Sequence, residues 1–163
     1  MQSLEGIPEA LRKHGQPEMA SCAASGFESI AKLHGLIPAD SFPLQSNPAN
    51  QWLGFGDTTF LKSLGLLASN AELEVLEAVN LIEKETNEGR FPLAVQVTAK
   101  LDDKFACHTY VCVRHAGNLL LIDPSVPAIQ AKGRKGIEDE FRSKIQQFPV
   151  RKTIHVLWYR KAD

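Results

Sequence analysis

A cysteine attacks an acyl carbon only as its thiolate, and its ordinary pKa of about 8.5 falls beside a helix N-terminus or an imidazolium. In "GQPEMASCAAS", Gly15 to Ser25, Cys22 stands where a helix should begin, and only small residues follow it up to Gly26. Nucleophilic acyl transfer is the chemistry this stretch offers. A packed thiol is the alternative, since free cysteine is among the most buried residue types. Gln16, six positions ahead, could supply a side-chain amide to a developing oxyanion, with the Cys22 backbone N–H as second donor.

A thiol nucleophile needs a base, and the candidates are His14, His34, His108, His115 and His155. His108 lies in "FACHTYVCVRH", and the next apolar run, "NLLLID", ends in Asp123. If these strands pair about a turn near Ala116 to Asn118, His108 and Asp123 fall close to directly opposite, with Cβ atoms roughly 4.5–5.5 Å apart. A carboxylate there can accept the Nδ1 proton and leave Nε2 for the thiol. His34 ends the helix that Cys22 begins and reads as a helix-dipole partner. His14 precedes a turn glycine, His115 sits at a hairpin tip, and His155 lies in the terminal strand with no evident acid.

The other two cysteines read as packing. Cys107 adjoins His108 and so points to the opposite sheet face. Cys112 shares the face of His108 but stands about 13 Å further along the strand.

These residues need elements to hold them. Pro8 suits the first turn of a short helix to about His14, and a second helix runs from about Ser21 to His34, ended by Gly35. Leu36 to Asp57 is rich in Pro, Asn, Ser and Gly and reads as a long loop. Phe42, Trp52 and Phe55 in it are either a substrate wall or core plugs. Asp57 or Thr58 can cap a helix ending at Gly65, and Asn70 can cap an amphipathic helix ending at Gly89. From Phe91 the pattern turns to strands: "FPLAVQVTAK", "FACHTYVCVRH" and "NLLLID", separated by turn-like "LDDK" and "AGN". A helix from about Gly136 to Gln147 and a strand "TIHVLWYRK" complete the chain. Helices first and antiparallel strands later make one α+β domain over residues 1–163.

Composition narrows the function classes. At 163 residues with 44% apolar and 23% charged residues, the chain is an ordinary globular protein. Lys plus Arg number 18 against 19 Asp plus Glu, and the charges are scattered, so no nucleic-acid partner is expected. "AKGRKG", Ala131 to Gly136, reads as an exposed basic loop. No run is long and apolar enough for a membrane span, and "MQSLEGIPEALRKHG" lacks a secretory-signal pattern. A cytoplasmic location is expected, with export by a signal-independent secretion system also open. Three cysteines with no paired CxxC spacing imply neither a disulfide framework nor structural zinc. No cofactor is expected.

Taken together, Gln16, Cys22, His108 and Asp123 resemble the papain-like cysteine peptidase superfamily. The likeness is greatest to the bacterial peptidases that cleave double-glycine leaders from bacteriocins and to their stand-alone relatives. It extends over roughly residues 14 to 125 through "FLKSLGL", "GRFPLAVQV", "HTYVCV" and "LLLIDPS". The resemblance implies a papain-like fold, with N-terminal helices packed on a C-terminal antiparallel sheet. It also implies a peptide or protein substrate, with Gln16 as oxyanion residue, Cys22 as nucleophile, His108 as base and Asp123 as orienting acid. Those peptidases usually carry Gly directly after the nucleophile, where this chain has Ala23. "HTYVCVRHAGNLLLIDPS" is similar also to the His and Asp strands of transglutaminase-like acyltransferases, and peptidoglycan amidases of the NlpC type share the Cys-then-His order. A catalytically idle domain that binds peptides is the remaining reading.

Overall fold

The computed structural model describes residues 22–50, 53–54, 56–89, 92–101, 104–124, 128–147 and 153–162. The expected helix before Gly15, together with Gln16, Trp52 and Phe55, lies outside them. Of Cys22 and Cys107 the backbone is described and the side chain is not.

In chain order the elements are α1 (Cys22–Leu33), α2 (Thr59–Ser63), β1 (Leu66–Leu73), α3 (Val75–Asn87), β2 (Leu93–Leu101), β3 (Lys104–His115), β4 (Asn118–Asp123), β5 (Ala128–Lys132), α4 (Gly133–Gln147) and β6 (Ile154–Lys161). The strands form one sheet in the order β1-β6-β2-β3-β4-β5, and every neighbouring pair is antiparallel. The fold is α+β, with helices packed on an antiparallel sheet.

Side-chain alternation in the strands divides the core in two. Leu93, Val95 and Val97 of β2 with Tyr110 and Cys112 of β3 meet Val79 and Ile82 of α3 and Ile137 and Phe141 of α4. On the other face, Ala94, Leu157 and Tyr159 meet Ala23, Phe27 and Ile30 of α1 and Leu61 of α2. Leu33, at the end of α1, packs against the cluster of Val111, Val113, Leu120 and Ile122 on that same side. Helices therefore cover both faces of the sheet, where the sequence suggested a simpler order of helices first and sheet later.

Local chemistry explains the other differences. The helix expected from Asn70 begins only at Val75, because Leu66–Leu73 pairs along its whole length with β6, from Leu66↔Lys161 to Leu73↔Ile154. Glu74, with extended backbone, occupies its N-cap. "AKGRKG" is no free loop: Ala131 and Lys132 close β5, and Gly133 to Gly136 open α4. The β3–β4 hairpin turns on Ala116 and Gly117 alone, both with positive φ (49° and 79°), the sign that a two-residue type I′ turn requires.

The long loop is tied down by α1, whose residues Ala23 to Lys32 are all buried. The Glu28 carboxylate, 1% exposed, accepts hydrogen bonds from the Leu44 and Gln45 backbone N–H groups at 3.1 and 3.3 Å. Ser25 Oγ donates to Gln45 Oε1, and Lys32 Nζ lies 3.8 Å from the centre of the Phe42 ring. Burial raises the Glu28 pKa, an effect opposed by hydrogen bonds from the Gln45 side chain and from the two backbone amides. Leu36, Ile37, Leu44 and Leu53 pack against the α1-side core, so these loop residues serve as plugs. Glu28→Ala should strand two backbone donors at about 1–3 kcal/mol each. A fall in the urea midpoint with faster proteolysis between Leu36 and Asn50 is expected, and a midpoint equal to that of the unchanged chain would refute this role.

Candidate functional site

The sheet brings His108 and Asp123 together. His108 Nε2 lies 3.1 Å from Asp123 Oδ2, with the side chains 28% and 12% exposed respectively. The pair is not directly opposite as the sequence suggested. The ladder runs from Val111↔Ile122 to His115↔Asn118, a register that sets Asp123 level with Tyr110 and makes the His108 contact diagonal. A shift of two residues keeps both side chains on one face, so the contact survives the change of register. The nitrogen roles are also reversed: Nε2 meets the carboxylate and leaves Nδ1 as the available nitrogen.

His108 is braced further. Its ring meets that of Tyr110 edge-on, with centroids 4.6 Å apart and planes at 73°. Tyr110 Oη donates to Glu140 Oε1 of α4 at 2.7 Å. Burial, and next the Glu140 contact, raise the Tyr110 pKa, so the phenol stays protonated as the donor. The nearly buried carboxylate can orient the partly exposed imidazole, an arrangement suited to proton transfer.

Cys22 occupies the first position of α1, as expected, but α1 packs on the other face of the sheet. His108 pairs across β2 with Val97, a member of the core beneath α3 and α4, whereas Thr109 faces α1. A Cβ added at Gly26 would stand 2.9 Å from Thr109 Cγ2, which shows how closely helix and strand approach. Ala23, Ala24 and Ser25 are likewise buried, so the small residues serve close helix-on-sheet packing. Among the four expected site residues, the structure joins His108 with Asp123; it sets the helix of Cys22 across the sheet; and Gln16 lies outside the described residues.

The other histidines divide differently from expectation. His34 is no charged dipole partner, because burial, and then the charge of Lys161, lower its pKa and favour the neutral ring. His155 does have an acid nearby: Glu72 is its cross-strand neighbour in β1. Sequence reasoning missed the Tyr110–Glu140 brace, although the position of Tyr110 two residues after His108 gave a signal for the ring contact. Among the described residues no group of three or more His, Cys, Asp or Glu side chains could hold a metal ion, and no helix is long and apolar enough to cross a membrane.

No protein-family model matches the chain, and no curated protein matches it. Among solved structures it is similar to the crystal structure of the Pseudomonas avirulence protein AvrPphB, at 10% sequence identity and a TM-score of 0.38. The alignment covers 63% of this chain and 58% of that one, so the match spans less than two thirds of either.

Cys112 is fully buried, and loss of solvation drives its thiol pKa far up. Iodoacetamide should leave Cys112 unmodified in the native protein and label it on unfolding, as mapped by peptide mass spectrometry. Native-state labelling of Cys112 at the rate of a free thiol would contradict its place in the core.

Proposed function

We infer that the chain is a thiol hydrolase that cleaves peptide bonds, with Cys22 as nucleophile, His108 as acid–base group, Asp123 as its orienting acid and Gln16 as an oxyanion donor. The observation that carries this reading is the His108–Asp123 contact, an imidazole held by a carboxylate with one ring nitrogen left over. Cys22 is the first residue of α1, and a helix N-terminus is one of the settings in which a thiol pKa falls. The resemblance of these four residues to papain-like peptidases, greatest toward the leader peptidases, suggests a peptide substrate. In this reading the thiolate attacks the amide carbonyl and forms the C–S bond. Protonated His108 gives its proton to the leaving amine, and water activated by His108 then hydrolyses the thioester.

The reading makes one stringent demand. Thiol and imidazole must meet although α1 and His108 belong to opposite sheet faces. His108 stands three residues beyond the last β3–β4 rung, at Val111↔Ile122. The same separation favours a second reading, an idle domain of the same architecture that binds peptides without cleaving them.

Limiting iodoacetamide at about pH 6 separates the two. The enzyme reading predicts that Cys22 reacts roughly tenfold or more faster than an ordinary thiol, and that His108→Ala removes the advantage. Cys22 reacting at the ordinary rate in the unchanged protein would leave the binding reading in its place.

A further inference from the structure

Of the three cysteines, Cys112 belongs to the core under α3 and α4, whereas the backbone brings the positions of the other two together on the side of α1. Thr109 faces α1, so closely that a Cβ added at Gly26 would stand 2.9 Å from Thr109 Cγ2. Cys107 comes two residues earlier on β3, opposite Thr98, and so holds a position on that same face. Cys22 comes four residues before Gly26, one turn back along the same stripe of α1.

Helix and strand run the same way from this contact. Leu33, at the end of α1, packs against Val111 and Val113, which follow Thr109 on β3, and against their β4 neighbours Leu120 and Ile122. In the other direction, Gly26 to Cys22 is about 6 Å of helix and Thr109 to Cys107 is about 6.6 Å of strand. Both cysteines are therefore displaced to the same side, by nearly equal steps, from a place where helix and strand almost touch. A disulfide needs Cα atoms within about 7 Å of each other, and the glycine at the contact lets α1 sit low enough on β3 for that.

We propose that Cys22 and Cys107 form a reversible disulfide on oxidation by a peroxide, with Cys107 as the resolving thiol that takes the nucleophile out of use. The bond rests on the placement of the two residues alone, and its effect on activity rests on the thiol-hydrolase reading. Cys22, at a helix N-terminus, is the thiol that meets the peroxide. Its thiolate attacks one peroxide oxygen; the S–O bond forms, the O–O bond breaks, and the departing hydroxide takes up a proton and leaves as water. The Cys107 thiol then attacks the same sulfur and forms the S–S bond, and its proton leaves with the displaced hydroxide as a second water. Two thiols lose two electrons and the peroxide gains them. A dithiol reductant opens the bond again by exchange, whereas a sulfenic acid with no neighbouring thiol goes on to sulfinic acid, which such reductants do not restore.

The test treats the reduced full chain with a few equivalents of hydrogen peroxide, blocks the remaining thiols with N-ethylmaleimide, and maps the peptides by mass spectrometry without reduction. Expected is a link between positions 22 and 107 of one chain, with iodoacetamide labelling of Cys22 restored by dithiothreitol. In Cys107→Ser the link is lost, sulfinic acid at Cys22 rises about fivefold or more, and dithiothreitol restores little labelling. Equal sulfinic acid at Cys22 in both proteins overturns the proposal. So does a link that forms only in urea, joins two chains, or runs through Cys112. A glutathione redox buffer gives a second measurement on the unchanged chain should the variant fold poorly. The effective concentration of the two thiols, from the buffer at which the link is half formed, should be about tenfold or more higher in the native chain than in urea, and equal values overturn the proposal. The alkylation rate of reduced Cys22 keeps this result apart from the thiol-hydrolase reading. An ordinary rate with the native link formed refutes the activated nucleophile and leaves the disulfide standing, and a fast rate with no native link does the reverse.

Discussion

Both halves of the molecule hang on β3. Thr109, Val111 and Val113 point to the side of α1, whereas His108, Tyr110 and Cys112 point to the side of α3 and α4. Period-two alternation leaves no intermediate choice, and a slip of one residue would exchange the two sets. Gly26 locks the arrangement from above, because only a residue without a Cβ lets α1 come so close to Thr109. The position of His108 follows: it belongs to the face that α4 covers, and there it finds Asp123 and the Tyr110 ring.

α1 ties the long loop to the sheet. Its middle is a buried girder, with Glu28 and Ser25 fastening the long loop and Lys32 seated under Phe42. Such buried polar groups stabilise only when partnered, and here carboxylate, amide and hydroxyl are arranged so that the loop backbone finds acceptors it would otherwise take from water. Its first residue is Cys22, and the turn that closes it carries His34.

Much of this was legible in the sequence. The runs that became β2, β3, β4 and β6 carry β-branched and apolar residues between turn signals, and Cys22 and Gly35 bracket α1 as their types suggest. Even the His108–Asp123 contact could be read, because hairpin neighbours are local. Its register could not, since Ala116 gives no hint that it will adopt a positive φ. The edge strands β1 and β5 escaped for a related reason. "LLASNAEL" and "AIQAK" have little alternation, and what makes the first a strand is a partner, β6, at the other end of the chain. The sidedness of α1 against His108 was also hidden, for alternation tells which residues share a face but not which helix will cover it.

The central claim is that the thiol of Cys22 and the imidazole of His108 work on the same bond, and proximity is its plainest consequence. In a Cys107→Ser background, His108→Cys places a second thiol where the imidazole stands. Treatment of the native protein with a methylene-bridged bis-thiosulfonate should then link positions 22 and 108, detected as a joined pair of peptides by mass spectrometry. A link that forms only after unfolding, or none at all, would contradict the account and leave His108 and Asp123 as a pair without a nucleophile.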